Sequence, residues 1–272
     1  MITRAIPSSG EALPALGLGT WRTFDVPGDP AALAPLEEVL RRFFAAGGRV
    51  LDSSPMYGRS ETTVGDLLRS GSWARQAFVA TKVWTTGRGE GEAQMAASER
   101  RMGGRLDLVQ VHNLLDWKVH LPTLRAWKSA GRIRYVGVTH YSLSEFDELE
   151  RILHTQGVDF VQLPYSVGVR EAEKRLLPAA RDTGTAVIVM RPFEGGSLFR
   201  EARRRPLPPF ARDFGAATWA QLFLRFVLGH PAVTVAIPAT ADPEHATDDV
   251  SAGVGPLPDA ALRRRLIEHL GA

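Results

Sequence analysis

The chain contains no cysteine among its 272 residues. That excludes disulfide staples, thiolate nucleophiles and cysteine-ligated zinc, and it leaves the redox compartment open. No stretch approaches 18 consecutive apolar residues, so no membrane-spanning helix and no membrane partner are expected. Residues 1–10 lack the apolar run of a secretory signal, and a cytoplasmic location is the expectation. A strong charge of either sign is missing too: 33 Lys and Arg face 30 Asp and Glu, a formal +3. The densest basic runs, Arg203-Arg204-Arg205 and Arg263-Arg264-Arg265, are short and sit among apolar and proline residues. They read as solvated faces, and no nucleic-acid motif accompanies them, so no nucleic-acid partner is expected. Low-complexity tracts and short-period repeats are absent, as is any linker long enough to set off a second domain. One domain over residues 1–272 is the expectation, and no metal is expected in it.

What the chain does have is a large apolar fraction, 44%, enough for a sizeable core, punctuated by 26 glycines and 18 prolines that mark many short turns. Residues 2–6 and 11–15 read as two short strands joined by Pro7-Ser8-Ser9-Gly10, a hairpin. After it, short apolar runs alternate with longer amphipathic ones. The short runs are 16–20, 49–53, 78–83, 106–112, 133–139, 160–165, 186–191 and 234–240. Most are rich in Val, Ile, Leu or Phe and read as buried parallel strands.

The intervening segments read as helices. Residues 35–46 carry Leu36, Val39, Leu40, Phe43 and Phe44 at helical spacing, and 121–130 end at Gly131, a C-terminal cap. Residues 144–153 open on a serine cap, 171–181 stop near Gly184, 216–228 stop at Gly229, and Pro243 opens a short helix. Eight strand–helix alternations predict a (β/α)8 barrel, an α/β fold, with the N-terminal hairpin and an additional C-terminal helix over 259–270 outside it. The structural competitor is an open doubly wound sheet. Its dinucleotide fingerprint wants a third glycine and a later acidic residue, which Gly17-Leu18-Gly19 does not supply.

In a barrel, chemistry collects at the C-terminal ends of the strands. Here those ends carry residues that are costly to place after an apolar run: Asp52, Lys82, His112, Thr139-His140 and Gln162. Asp52 and Lys82 fall on adjacent predicted strands and can pair. Tyr57 follows Asp52 on a loop short enough to fold back over the mouth. Each alone has a bland reading: a barrel-mouth salt bridge, a packed aromatic, a satisfied strand-end histidine. Together they converge from three consecutive strand ends. Reduction of a carbonyl needs such a group. Hydride arrives at carbon, charge develops on oxygen, and a donor must supply a proton. A free tyrosine titrates near ~10, and a nearby ammonium brings it down. Asp52 would hold Lys82 charged and aimed, and His112 would orient the carbonyl oxygen.

The sequence resembles the aldo-keto reductases over almost its whole length. The resemblance is carried by Gly17-Leu18-Gly19-Thr20-Trp21, by Leu51-Asp52-Ser53-Ser54-Pro55-Met56-Tyr57-Gly58-Arg59-Ser60-Glu61, by Ala80-Thr81-Lys82 and by the run from Leu106 to His112. Residues 131–139, and Ile237-Pro238 with Pro243 and Glu244, resemble the family's fifth-strand and cofactor segments. The resemblance implies a catalytic tetrad of Asp52, Tyr57, Lys82 and His112. It implies NADP(H) as cofactor, with NAD(H) possible, and a small carbonyl compound as the substrate partner. The nicotinamide amide would lie near Thr139, His140 and Gln162, with Gly19, Thr20 and Trp21 on the near wall and Trp84 lining the substrate pocket.

Departures from the family pattern bear on the cofactor. His140 stands where an asparagine is usual, and Met190-Arg191-Pro192-Phe193 replaces Tyr-Ser-Pro-Leu. Met190 and Phe193 can still pack against the cofactor, and Arg191 can reach a pyrophosphate. In the last segment, Pro238 and Thr240 are kept. The usual lysine and arginine positions are Ala239 and His245, and the usual late asparagine is Asp249. With Asp242 and Glu244 close by, the NADPH preference is expected to be weaker than usual and to grow as pH falls and His245 gains a proton. Arg203, Arg204 or Arg205 folding over the cofactor is the opposing possibility. Two other functions fit the same barrel: a lyase or isomerase handling a phosphate, which the missing Gly-rich cradle in the eighth segment disfavours, and a cofactor-binding scaffold or regulatory subunit, which an intact tetrad disfavours.

Overall fold

Short-range pairing starts the chain. Strand β1 (Thr3–Ala5) pairs antiparallel with β2 (Ala12–Pro14). This is the expected hairpin in a computed structural model that describes residues 1–202 and 204–271. Arg203 therefore lies outside the described residues. Ile6 and Leu13, at the hairpin's inner face, are fully buried and plug the bottom of the barrel.

The barrel itself is built from eight parallel strands: β3 (Leu18–Gly19), β4 (Val50–Asp52), β5 (Phe78–Val83), β6 (Leu108–His112), β7 (Tyr135–Thr139), β8 (Phe160–Pro164), β9 (Ala186–Met190) and β10 (Val235–Ala236). Each pairs with its sequence neighbour. The two ends meet through a parallel bridge between Leu16 and Ala236. Gly17 N donates to Ala236 O at 2.9 Å and Gly19 N to Pro238 O at 2.8 Å. The expected barrel therefore closes. The first and last strands are shorter than the runs 16–20 and 234–240 predict, in part because Pro238 has no N–H to extend the ladder.

The helices on the outside are α1 (Pro30–Ala45), α2 (Ser60–Ser70), α3 (Arg88–Arg101), α4 (Trp117–Ser129), α5 (Phe146–Gln156), α6 (Leu176–Asp182), α7 (Ser197–Ala202), α8 (Trp219–Leu228), α9 (Pro243–Ser251) and α10 (Ala260–Leu270). Helix α1 begins five residues before the expected start. The Asp29 carboxylate accepts from Ala32 N at 3.1 Å and Pro30 occupies the first turn, a stronger start than Pro35. The expected helix at 171–181 is split: a 3-10 turn over Glu171–Glu173 precedes α6. Ser142 rather than Ser144 supplies the cap before α5, on a 3-10 turn over Leu143–Glu145. The C-terminal run at 263–265 is not wholly a solvated face. Arg263 is buried and bonds Glu173, the Tyr165 hydroxyl and the Phe226 carbonyl, which docks α10 on the barrel.

Alternation along the strands sorts the side chains into two cores. One set of apolar residues faces the helices. The other, including Val50, Phe78, Leu108, Tyr135, Phe160 and Ile188, fills the barrel interior above the hairpin. Continuing that inward period by two or four residues toward the C-terminal ends brings Asp52, Lys82, Gln110, His112, Thr139 and Gln162 inward. The interior thus changes from apolar to polar along its own axis, and that change places the site. No helix among the described residues is long and apolar enough to cross a membrane.

Candidate active site

Lys82 is a costly residue to bury. Its side chain is fully buried, and its ammonium needs partners. Nζ donates to Asp52 Oδ2 at 2.6 Å and to the Ser53 carbonyl at 2.7 Å. The other carboxylate oxygen, Oδ1, accepts from Gln162 Nε2 at 3.0 Å and from Gln110 Nε2 at 3.2 Å. Four strands thus hold one ion pair in place. Burial alone would push the Lys82 ammonium down, but Asp52 and Tyr57 outweigh it and hold it above the ordinary lysine value. Gln110 fits beside this pair because the neighbouring strand carries Gly137. A Cβ there would come within 2.9 Å of the Gln110 side chain and of the Phe160 carbonyl.

Tyr57 reaches over this pair from the loop after β4. The turn that sends it back is made by Gly58, at φ +58°, where a Cβ would lie 2.3 Å from the Asp25 carboxylate. Arg59 N donates to that carboxylate at 2.8 Å, which ties the loop down. Lys82 Nζ lies 5.2 Å from the Tyr57 ring centroid, and the His112 ring stands edge-on to the same ring at 5.8 Å. On sequence alone, Lys82 is expected to bring the phenol down. In the structure burial acts first and raises it, the Lys82 charge lowers it, Asp52 raises it again, and the net direction is upward. His112 is pushed down to about 2 by burial, with the Lys82 and His140 charges adding to the effect, so it is neutral over the working range.

Above these residues opens a cavity of about 510 Å³ at the C-terminal end of the barrel, a size suited to a small-molecule site. Of the residues expected at the site, Asp52, Tyr57 and His112 line it, as do Gly19, Thr20, Trp21, Gln162, Met190, Arg191, Phe193 and Pro238. Lys82 lies beneath the floor. Thr139 is buried and donates to Gln162 Oε1 at 3.3 Å, so it acts on the wall from behind. His140 is not on the wall. It stacks on Tyr141 at 5.3 Å, and Tyr141 lines the cavity in its place. Trp84 is exposed and outside the lining. Thr240 is spent on the turn before α9, accepting from Asp242 N at 3.0 Å, and His245 is largely exposed.

Residues absent from the sequence expectation also stand on the wall, among them Met56, Asn113, Tyr141 and Phe199. Gln110 was readable, since it lies two residues before His112 on the same strand. Asn113 and Tyr141 come just after strand ends and carry no local signal. Arg191 sits at φ +55°, its carbonyl accepts from Glu194 N at 2.9 Å, and its guanidinium has no hydrogen-bond or ion-pair partner among the described residues. A guanidinium on the cavity wall is the kind of group that suits an anionic ligand such as a dinucleotide's pyrophosphate.

The model of the Aldo/keto reductase family matches residues 15–264. The chain belongs to that family. Among curated relatives, this reductase-family chain is 26% identical to the aldo-keto reductase YhdN of Bacillus subtilis (strain 168), over 72% of this chain and 62% of the relative. It is 29% identical to an Escherichia coli (strain K12) protein named NADH-specific methylglyoxal reductase, over 74% and 70%. The match thus spans under two thirds of the first of these relatives. A Klebsiella pneumoniae aldo-keto reductase solved with NADPH superposes with a TM-score of 0.80 at 25% identity, covering 99% of this chain and 95% of that one.

Asp249 departs from the expected site. It is buried in a separate small cavity with Leu16, Leu18, Phe43 and Ala246, which adjoins the main one at Pro238. Burial, with Asp248 adding to it, pushes its carboxyl up to about 8. The unfolded carboxyl titrates near ~3.9. Between those values the native state holds a proton that the unfolded chain has released, so stability falls as pH rises through the window. Asp249→Asn is therefore expected to raise the melting temperature, with a larger rise at pH 8 than at pH 4. Equal shifts at the two pH values in thermal melts would contradict this.

Proposed function

We propose that the chain reduces a small aldehyde or ketone with a reduced nicotinamide dinucleotide, with Tyr57 as proton donor. The convergence of Tyr57 and His112 on one cavity wall, above the buried Lys82–Asp52 pair, carries this reading. When bound, NADPH or NADH would supply a hydride for the carbonyl carbon. His112 offers a ring N–H to the carbonyl oxygen and orients it. Tyr57 passes its proton to that oxygen as charge develops there, giving the alcohol. Lys82 stabilises the phenolate left behind, and Asp52, gripped by Gln110 and Gln162, keeps the ammonium aimed. The test is oxidation of NADPH and NADH against a panel of aldehydes, ketones and quinones. A chain that binds either cofactor yet reduces no member of the panel rejects the reading.

Cofactor choice depends on the start of α9. Ala239 brings no charge to the cavity wall. Asp242 caps the helix, accepting from Glu244 N at 2.8 Å. Arg42, which reaches this helix, is shared between Glu38 and Glu244, each at 2.7 Å. A 2′-phosphate would therefore meet carboxylates and a helix N-terminus with little free positive charge. Dissociation constants for NADPH and NADH, by fluorescence quenching, are expected to lie within about tenfold of each other. A preference for NADPH of a hundredfold or more would point instead to the arginine run at 203–205.

A further inference from the structure

Ser54 lies on the turn between β4 and Tyr57 and is fully buried. Its hydroxyl oxygen has two recorded partners among the described residues. The Met56 N–H donates to Oγ at 3.3 Å, and Oγ lies 2.9 Å from His112 Nδ1. A backbone N–H can only donate, so it takes one lone pair of the hydroxyl. The hydroxyl has a single proton, and Nδ1 is the acceptor in contact with it. If Nδ1 carried the ring proton, the serine proton would be left buried with no acceptor, a cost of the same kind as a lost hydrogen bond. Serine therefore donates, and Nδ1 accepts.

We propose that Ser54 is a positioning residue that locks His112 in the tautomer protonated on Nε2, so that the ring presents a donor to the substrate's carbonyl oxygen. A neutral imidazole has one N–H, and fixing the lone pair on Nδ1 places that N–H on Nε2. His112 lines the cavity, and no protein partner is recorded for Nε2 among the described residues, which leaves it for the ligand. The other tautomer would turn a lone pair toward the carbonyl oxygen and repel it. The neutral state that this lock requires agrees with the direction in which burial drives the ring. The catalytic consequence rests on carbonyl reduction; the tautomer itself does not.

The experiment reads the tautomer directly. Two-bond 15N–1H correlation spectra of the full chain, labelled in histidine, report which ring nitrogen carries the proton, and His112 is assigned as the signal lost in His112→Gln. The expected result is the Nε2–H tautomer in the wild type, unchanged between pH 5 and pH 8, and a mixture of tautomers in Ser54→Ala. In steady-state kinetics Ser54→Ala is expected to lose roughly tenfold in kcat, with the NADPH dissociation constant unchanged and Ser54→Thr restoring most of the loss. An Nδ1–H wild-type ring, a ring that titrates within that range, or an Ala variant unchanged in both tautomer and kcat overturns the proposal. The wild-type spectrum decides even if the Ala variant does not fold. A wild type with the Nε2–H ring but no turnover on the carbonyl panel would reject carbonyl reduction and leave the tautomer assignment standing.

Discussion

Tyr57→Phe is expected to lower reductive turnover by roughly 100-fold or more, the scale of a lost general acid, while cofactor binding stays near wild type. The substitution removes one oxygen and keeps the ring. That ring packs edge-on to His112 and stands over the Lys82 ammonium. Those contacts, the Gly58 turn and the Asp25 tether to Arg59 survive the change, so the loop should hold its place. What disappears is the proton that the developing alkoxide needs. The raised phenol keeps Tyr57 protonated through neutral pH, which suits a donor in the reductive direction. Single-turnover measurement with an activated aldehyde, beside a titration of cofactor fluorescence, separates chemistry from binding. Near-normal turnover in the variant would remove Tyr57 from its assigned role.

Lys82→Met is expected to damage both stability and rate. The side chain it replaces is fully buried and holds Asp52 at 2.6 Å. Breaking a buried pair on one side leaves the other charge uncompensated, and such changes cost ~3–5 kcal/mol. Here Gln110 and Gln162 still donate to Asp52, which places the loss toward the low end of that range. Adding Asp52→Asn should recover part of it, because the orphaned charge is gone. Thermal or denaturant melts of the single and double variants check this; a double variant losing the sum of the two single losses would mean the residues are not coupled. The rate effect has its own signature. Reduction needs the protonated phenol, so activity falls as pH rises through the Tyr57 pKa. The Lys82 charge lowers that pKa, and removing it leaves burial unopposed. The alkaline decline should move to higher pH, on a lower plateau. A pH profile unchanged in shape and height would make Lys82 a structural ion pair only.

Different parts of the molecule were legible to different degrees. The β5 to β9 strands read directly, since each is a short run rich in Val, Ile, Leu or Phe and buried on both faces. Helix α3 did not read. Its segment, Arg88 to Arg101, is charged on most sides and buries only Gly91, Met95 and Ser98, so no apolar stripe marks it. It is helical because it bridges two well-marked strands and packs on the barrel at those few points. Two prolines compete for the start of α1, the sequence favours Pro35, and only the structure shows Asp29 capping the earlier one.

The sequence by itself determined the class of fold and most of the polar floor of the site. Period-two alternation, continued past the apolar core, turns Asp52, Lys82, His112 and Gln162 inward whatever the loops do. Which residues finish the wall was decided by tertiary structure alone. His140 and Tyr141 are adjacent after a strand end; the histidine ring accepts from Ser142 N at 3.0 Å, and it is the tyrosine stacked on it that lines the cavity. Asp249 looks like a ligand position in the sequence, yet α9 packs against α1 and buries it among Leu16, Leu18 and Phe43. Ser54 carries no signal in the sequence beyond a polar turn residue. Its contact with His112 spans 58 positions and exists because the turn after β4 and the end of β6 deliver the two side chains to one side of the same mouth. A local pattern can state which face a residue turns to. It cannot state which residue from another strand will meet it there, because that depends on barrel closure and on where each loop comes down.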